Sequence, residues 1–312
     1  MLVKRVLTQS LREWVGQVVS RVRFGRHYWT IVTIHHCDAG QMRAFLEWAV
    51  QNYEIVSLAD GRPRLQSAQL TRPLLSITYD DGDLTVFDEA MPVHREMRIP
   101  AIVFVCPAWA DRGVAMHENE RRRLSMTWSH LREWVSHGLE IGGHSINHIP
   151  LTQASLGRAQ WEILTCADRI EQECGCRVRS FAYPWGLYTR QLADWMQGSG
   201  RFDSIVTCDE CDVFPSHTGN HFGRRPLELG HRPARYVLRR NSLKDSIRRQ
   251  LNLGIQAEVS PKPFTLNRFC SESEPKLLAP VGGTATNIIC SQTKNESVIE
   301  DNGIPSIEPL VN

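Results

Sequence analysis

Asp80, Asp81 and Asp83 follow directly on the apolar run 74–79. Three carboxylates at the end of a strand repel one another unless a cation or a proton relieves them, so a metal site is the natural physical reading. An acidic turn in which Asp83 caps a helix explains the same cluster without a metal. A second set follows the run 139–143: His144-Ser145-Ile146-Asn147-His148. Histidines at i and i+4 project the same way from one helical turn and suit a single ion, although a lone pair of loop histidines is more often structural or solvent-exposed. The two segments mean more together, because each follows a strand of the same repeating pattern and both open onto one face. Two histidines and one aspartate form a three-ligand set with open positions. That is the arrangement of a catalytic rather than a structural zinc, with room for a water whose pKa the ion lowers toward roughly 7. Asp81, His144 and His148 are then the metal ligands, and Asp80 is free to take the water's proton as general base.

From Trp29 onward, short β-branched runs alternate with helix-period segments, the pattern of a parallel sheet or barrel. Strands are expected at 29–35, 54–58, 73–79, 101–106, 139–143, 179–183 and 203–208, with one more short run near 225–229. Helices are expected at 41–53, at 127–137 with Thr127 as N-cap, and at 155–174 with Gly175 as the stop. The expected fold class is α/β, a distorted (β/α) barrel of about seven parallel strands with a disordered C-terminal tail. In such a barrel the catalytic groups sit at the C-terminal ends of the strands.

The expected organisation is a basic amphipathic helix over 1–28, the catalytic barrel over 29–234, a basic helix over 235–256 and a disordered tail over 257–312. Lys4, Arg5, Arg12, Arg21, Arg23 and Arg26 face only Glu13 in the first 26 residues, beside an apolar stripe at helical spacing. Such a helix packs on a domain or lies on an anionic membrane surface. The tail holds no Trp or Tyr and shows no sustained periodicity. Across all 312 residues, 36 basic side chains meet 34 acidic ones, so the chain has no global field to attract nucleic acid. No apolar run reaches the roughly 20 residues that span a bilayer, and no signal peptide is evident, which points to a cytoplasmic protein, peripheral at most on the inner membrane face. Nine cysteines without an export signal read as mostly reduced thiols. No obligate protein partner is evident.

The motifs resemble those of the polysaccharide deacetylases with a NodB-homology domain, carbohydrate esterase family four. Thr78-Tyr79-Asp80-Asp81-Gly82 is similar to the first family motif, His144-Ser145-Ile146-Asn147-His148 to the second, and Phe181-Ala182-Tyr183-Pro184-Trp185-Gly186 to the third. The resemblance implies Asp80 as base, Asp81, His144 and His148 as ligands of one divalent metal ion, zinc first among the candidates, and the Trp185 backbone N–H as oxyanion donor. It departs at Ala182, where the family often has an arginine that holds the catalytic aspartate. Arg179 lies three positions earlier, facing the other side of a strand.

Two histidines compete for the general acid. Ile34-His35 resembles the N-terminal segment of poly-N-acetylglucosamine deacetylase relatives and ends the first strand, whereas Leu229-Gly230-His231 matches the short late motif that normally supplies the acid. Tyr183 and Trp185 either form a platform for a sugar ring or wall the barrel mouth. Trp128, Trp134 and Trp161 fall on expected helices, where packing is the default. The implied function is metal-dependent hydrolytic deacetylation of N-acetylated hexosamine in a polysaccharide or lipid-linked glycan, with a metal-bound water as nucleophile. Alternatives are an O-acetyl esterase or non-sugar amidase on the same site, or a catalytically silent glycan-binding module.

Overall fold

The computed structural model describes residues 26–67, 69–115 and 123–230. The strand β1 (Trp29–Ile34) leads into α1 (Ala39–Asn52), then β2 (Glu54–Ile55), α2 (Leu58–Gln66) and β3 (Leu74–Tyr79). A π-helical turn over Val86–Ala90 runs into α3 (Met91–Met97), followed by β4 (Ile102–Val105), α4 (Pro107–Ala110) and the short antiparallel pair β5 (Val114–Ala115) and β6 (Arg123–Leu124). Next come α5 (Trp128–Ser136), β7 (Glu140–Gly143), α6 (Leu156–Cys174), β8 (Ser180–Ala182), α7 (Arg190–Ser199), β9 (Ser204–Thr207), β10 (His221–Gly223) and β11 (Arg225–Pro226).

The main sheet is parallel and runs β10-β9-β8-β7-β4-β3-β1-β11, with β2 paired to β3 off this path. The barrel is almost closed by a single segment. β10 and β11 are separated only by Arg224, yet β10 pairs with β9 and β11 with β1, at opposite ends of the sheet. Eight strands lie on the path where about seven were expected: the strand at 54–55 pairs off it, the run near 225–229 supplies β11, and β10 precedes that run across Arg224.

Alternation along each strand sorts side chains into two apolar layers. Trp29, Ile31, Leu74, Ile102, Phe104, Ala182, Val206 and Phe222 fill the barrel interior, while Val32, Ile34, Leu75, Ile77, Val103 and Ile141 pack under the helices. Helix α2 belongs to the inner layer: Leu58 and Leu65 join the interior cluster, and a Cβ on Gly61 would stand 2.2 Å from the Trp29 ring. The expected strand at 54–58 ends at Ile55 because the Ser57 side chain accepts the Asp60 N–H and starts α2 instead. Helix starts elsewhere agree with the sequence reading. Thr127 caps α5 in a reciprocal box with His130, and α6 runs from the Ser155 cap to Gly175 in the left-handed region. The expected helices over 1–28 and 235–256, the tail and His231 lie outside the described residues, apart from residues 26–28.

Candidate active site

The three carboxylates after β3 divide into three roles. Asp83 turns back on its own chain, accepting the Thr85 N–H at 2.9 Å and lying 3.0 Å from His36 Nδ1. The acidic-turn reading is thus right for this one residue. Asp81 takes a left-handed conformation with φ of 72° and presents Oδ1 at 3.5 Å from His144 Nε2 and 3.2 Å from His148 Nε2. Asp80 points into the barrel, almost wholly buried, and meets Arg224 through two hydrogen bonds of 2.6 and 2.7 Å.

Arg224 is the residue that motif reading missed. Its guanidinium is fully buried in the barrel interior, over the Phe104 ring, and also donates to Thr78 Oγ1 at 3.0 Å and to the Thr207 carbonyl at 3.2 Å. The cation absent at position 182 therefore arrives from the segment that closes the barrel. Ala182 lies in the same interior apolar cluster as Phe104, the ring beneath that guanidinium. Arg179 instead pairs with Asp203 at the surface, far from this role. The signal available beforehand was indirect: a buried carboxylate requires a cationic partner, and Arg224-Arg225 was the basic pair beside an expected strand. Burial by itself raises the Asp80 pKa; the Arg224 charge and hydrogen bonds, with contributions from His144 and His35, outweigh it and hold the carboxyl below its ordinary range.

The two histidines are held from behind. His144 Nδ1 lies 2.8 Å from the Ala182 carbonyl, so its N–H donates there and Nε2 is the ring atom turned toward Asp81. The His148 ring packs against both Trp109 and Trp185 at tilted angles, with centroid separations of 4.7 and 4.2 Å. Burial lowers the His144 pKa, but the Asp81 hydrogen bond and the charges of Asp80 and Asp81 reverse this and raise it above its ordinary value. The same negative field favours a cation between the rings. One donor atom each from Asp81, His144 and His148 lies within 4.8 Å of the others, the single such cluster among the described residues. This nitrogen and oxygen donor set fits a divalent ion of the zinc type. The cysteine pairs at 174/176 and 208/211 assemble no comparable cluster among the described residues, and no disulfide joins them.

The third motif forms a tight turn in which the Gly186 N–H donates to the Tyr183 carbonyl at 2.8 Å, with Pro184 leading and Trp185 at φ of 54°. This is the geometry of a type II turn. Tyr183 is fully buried, stacked on Tyr188 and 3.0 Å from His221 Nε2. Its ring is enclosed by these neighbours at the barrel mouth. Trp185 keeps 38% of its surface exposed while packing on His148. Trp161, expected to pack, is 45% exposed with the Arg158 guanidinium over its ring, so that expectation fails for it. His35 stands exposed at the end of β1, near enough for its charge to act on Asp80.

Backbone strain concentrates at this mouth. Asp81, Ser145, His148 and Trp185 account for four of the five non-glycine residues with positive φ among those described. Each costs on the order of 1–3 kcal/mol and persists only where surrounding contacts over-determine it.

Residues 67–200 match the polysaccharide deacetylase family profile. The chain is 26% identical over 130 residues to a chitooligosaccharide deacetylase of Sinorhizobium fredii, covering 41% of this chain and 54% of that protein. It is 20% identical over 169 residues to the Bacillus subtilis protein YxkH, covering 54% of this chain and 57% of that one. The chain thus spans about half the length of the curated relatives it matches. The fold is similar to that of the Streptococcus pyogenes deacetylase PplD solved with acetate, with a TM-score of 0.57, 17% identity and coverage of 69% and 98% of the two chains. It is similar also to IcaB from Ammonifex degensii, with a TM-score of 0.56, 19% identity and coverage of 68% and 98%. Over residues 67–200, with the paired aspartate and histidine motifs at the mouth of a nearly closed parallel barrel, the chain is similar to the polysaccharide deacetylase family.

Proposed function

We propose that this protein removes acetyl groups hydrolytically from N-acetylated hexosamine in a polysaccharide or lipid-linked glycan, using one divalent metal ion, zinc by donor type. The observation that carries this reading is the buried Asp80–Arg224 pair beside the Asp81, His144 and His148 cluster. A cation held by those three residues supplies Lewis acidity toward a carbonyl and its attacking water. Asp80, kept ionised and oriented by Arg224, accepts the proton of that water as it attacks the acetyl carbon. The turn at Trp185 presents a backbone N–H to the oxygen that gains charge. His35, at the rim, returns a proton to the departing amine, and acetate and a free amino sugar result. Arg224 answers one of the two grounds for a silent glycan-binding module, the cation missing at Ala182, while the other, the choice of general acid between His35 and His231, is left to the activity test.

The proposed catalytic domain is 29–234, a span that contains the described strands from Trp29 to Pro226. Its partner is the carbohydrate substrate rather than nucleic acid, and contact of the basic segments with an anionic membrane surface on the cytoplasmic side completes the proposal. No helix among the described residues is long and apolar enough to cross a membrane. The test is acetate release from N-acetylglucosamine oligomers by metal-stripped protein, before and after zinc is restored, with an O-acetylated sugar in parallel. Zinc-dependent release from the N-acetyl substrate supports the reading. Release from the O-acetyl substrate alone replaces it with an esterase.

A further inference from the structure

Between the two histidine ligands the loop makes an awkward path: Ser145 and His148 both have positive φ, at 63° and 52°. One side chain from outside the motif holds it there. Glu162, on α6 and fully buried, accepts the Asn147 N–H at 3.0 Å through Oε2 and the Asn147 side-chain amide at 2.9 Å through Oε1. Its backbone carbonyl accepts the Ile146 N–H at 3.2 Å. Arg158, one helical turn earlier, donates to Oε1 at 2.7 Å while lying 4.4 Å over the Trp161 ring.

We propose that Glu162 is a positioning residue for the metal centre, acting through Asn147 to aim His148 at Asp81. The inference rests on the metal-site reading above and adds a residue that the motifs do not contain. A carboxylate with no solvent exposure is costly unless its charge and lone pairs are satisfied. Here the donors come from the ligand loop itself, plus Arg158 to balance the charge. An apolar residue would fill the same volume but would leave the Asn147 N–H and amide without acceptors. The two left-handed residues would then relax toward ordinary φ values, and His148 would leave its 3.2 Å approach to Asp81. Partners one shell beyond a metal ligand typically tune affinity by about 10- to 100-fold.

The test uses the full chain and zinc itself, titrated against a chromophoric chelator. Glu162→Gln places an amide donor where one of the acceptors stood, and zinc binding is expected to weaken at least about tenfold. Adding Asn147→Asp to that variant reverses the polarity of the pair at unchanged net charge: the amide introduced on α6 donates to the carboxylate introduced in the loop, and affinity is expected to return. Cobalt in place of zinc reads ligand geometry directly, and its visible bands are expected to change in Glu162→Gln and revert in the double variant. Thermal unfolding of the metal-free proteins separates this from a scaffold role, in which Glu162→Gln would unfold earlier yet bind zinc as wild type does. Wild-type zinc affinity in Glu162→Gln, or a double variant no better than the single one, overturns the proposal. Zinc uptake by wild type without acetate release would sink the deacetylase reading and leave this comparison standing.

Discussion

Arg224→Met removes the guanidinium from the barrel interior while keeping most of the side-chain length. Both charged groups of the pair are at most 4% exposed, and the variant strips Asp80 of hydrogen bonds of 2.6 and 2.7 Å. Hydrogen bonds to charged groups contribute about 1.5–3 kcal/mol each, and breaking a buried ion pair from one side costs about 3–5 kcal/mol, so a loss near 4 kcal/mol is expected. With a urea m-value of about 2.5 kcal/mol/M, the unfolding midpoint falls by about 1.5 M. Removing both charges, as in Asp80→Asn with Arg224→Met, leaves no stranded carboxylate and is expected to recover most of that loss. Acetate release should separate from stability. Arg224→Met loses about a hundredfold or more in kcat because the general base is no longer oriented, and the more stable double variant stays inactive. Arg224→Lys restores charge but not the two-pronged contact and should fall between. Equal destabilisation of the single and double variants, or wild-type turnover in Arg224→Met, would refute the assignment of Arg224 as the residue that holds Asp80.

Zinc at about 100 times its Kd should stabilise the protein by about 2.7 kcal/mol and raise Tm by about 5–10 °C, an increase absent in Asp81→Asn; equal shifts in both proteins would locate the metal elsewhere. Burial depresses the His94 pKa to about 4 from 6.5, against a backbone hydrogen bond to Ile99 that raises it. The neutral ring lies 2.6 Å from the Tyr79 hydroxyl. Above pH 6.5 both states are neutral and nothing is lost; as pH falls from 6.5 toward 4 the unfolded chain protonates first, and stability drops by about 3 kcal/mol across that window. Urea midpoints at pH 7 and pH 5 should show this slope in wild type and a shallower one in His94→Gln. At Gly186 the φ is 69°, and an added Cβ would stand 2.4 Å from the Cys208 Cβ and 2.9 Å from its backbone nitrogen. Gly186→Ala should therefore cost about 2–3 kcal/mol and distort the Trp185 turn, with acetate release falling more than a wild-type-like fold predicts; full activity would show that the turn is not used.

The parts of this protein legible in the sequence are those with short-range causes. Short β-branched runs placed the main parallel strands to within one or two residues, and Thr127 and Gly175 marked helix ends through local capping. Asp80 and Asp81 after one strand and His144 with His148 after another told of a shared mouth, because every strand of a parallel barrel ends on the same face. Local reading failed where a short-range signal was ambiguous or a long-range contact decided. Ser57 ended a strand by capping α2, and Trp161 had the spacing of a packed residue but stayed at the surface. Asp81, His144 and His148 have the residue types of a metal-ligand set, and the structure brings their donor atoms within 4.8 Å of one another. That Asp80 is clamped by Arg224, 144 positions away, was decided only when the 221–226 segment closed the barrel and carried the guanidinium into its interior. Glu162 became part of the site in the same way, because α6 packs behind the histidine loop. Spacing along a chain reports which groups can share a turn or a strand end, whereas the partner of a buried charge is chosen by packing and closure in three dimensions.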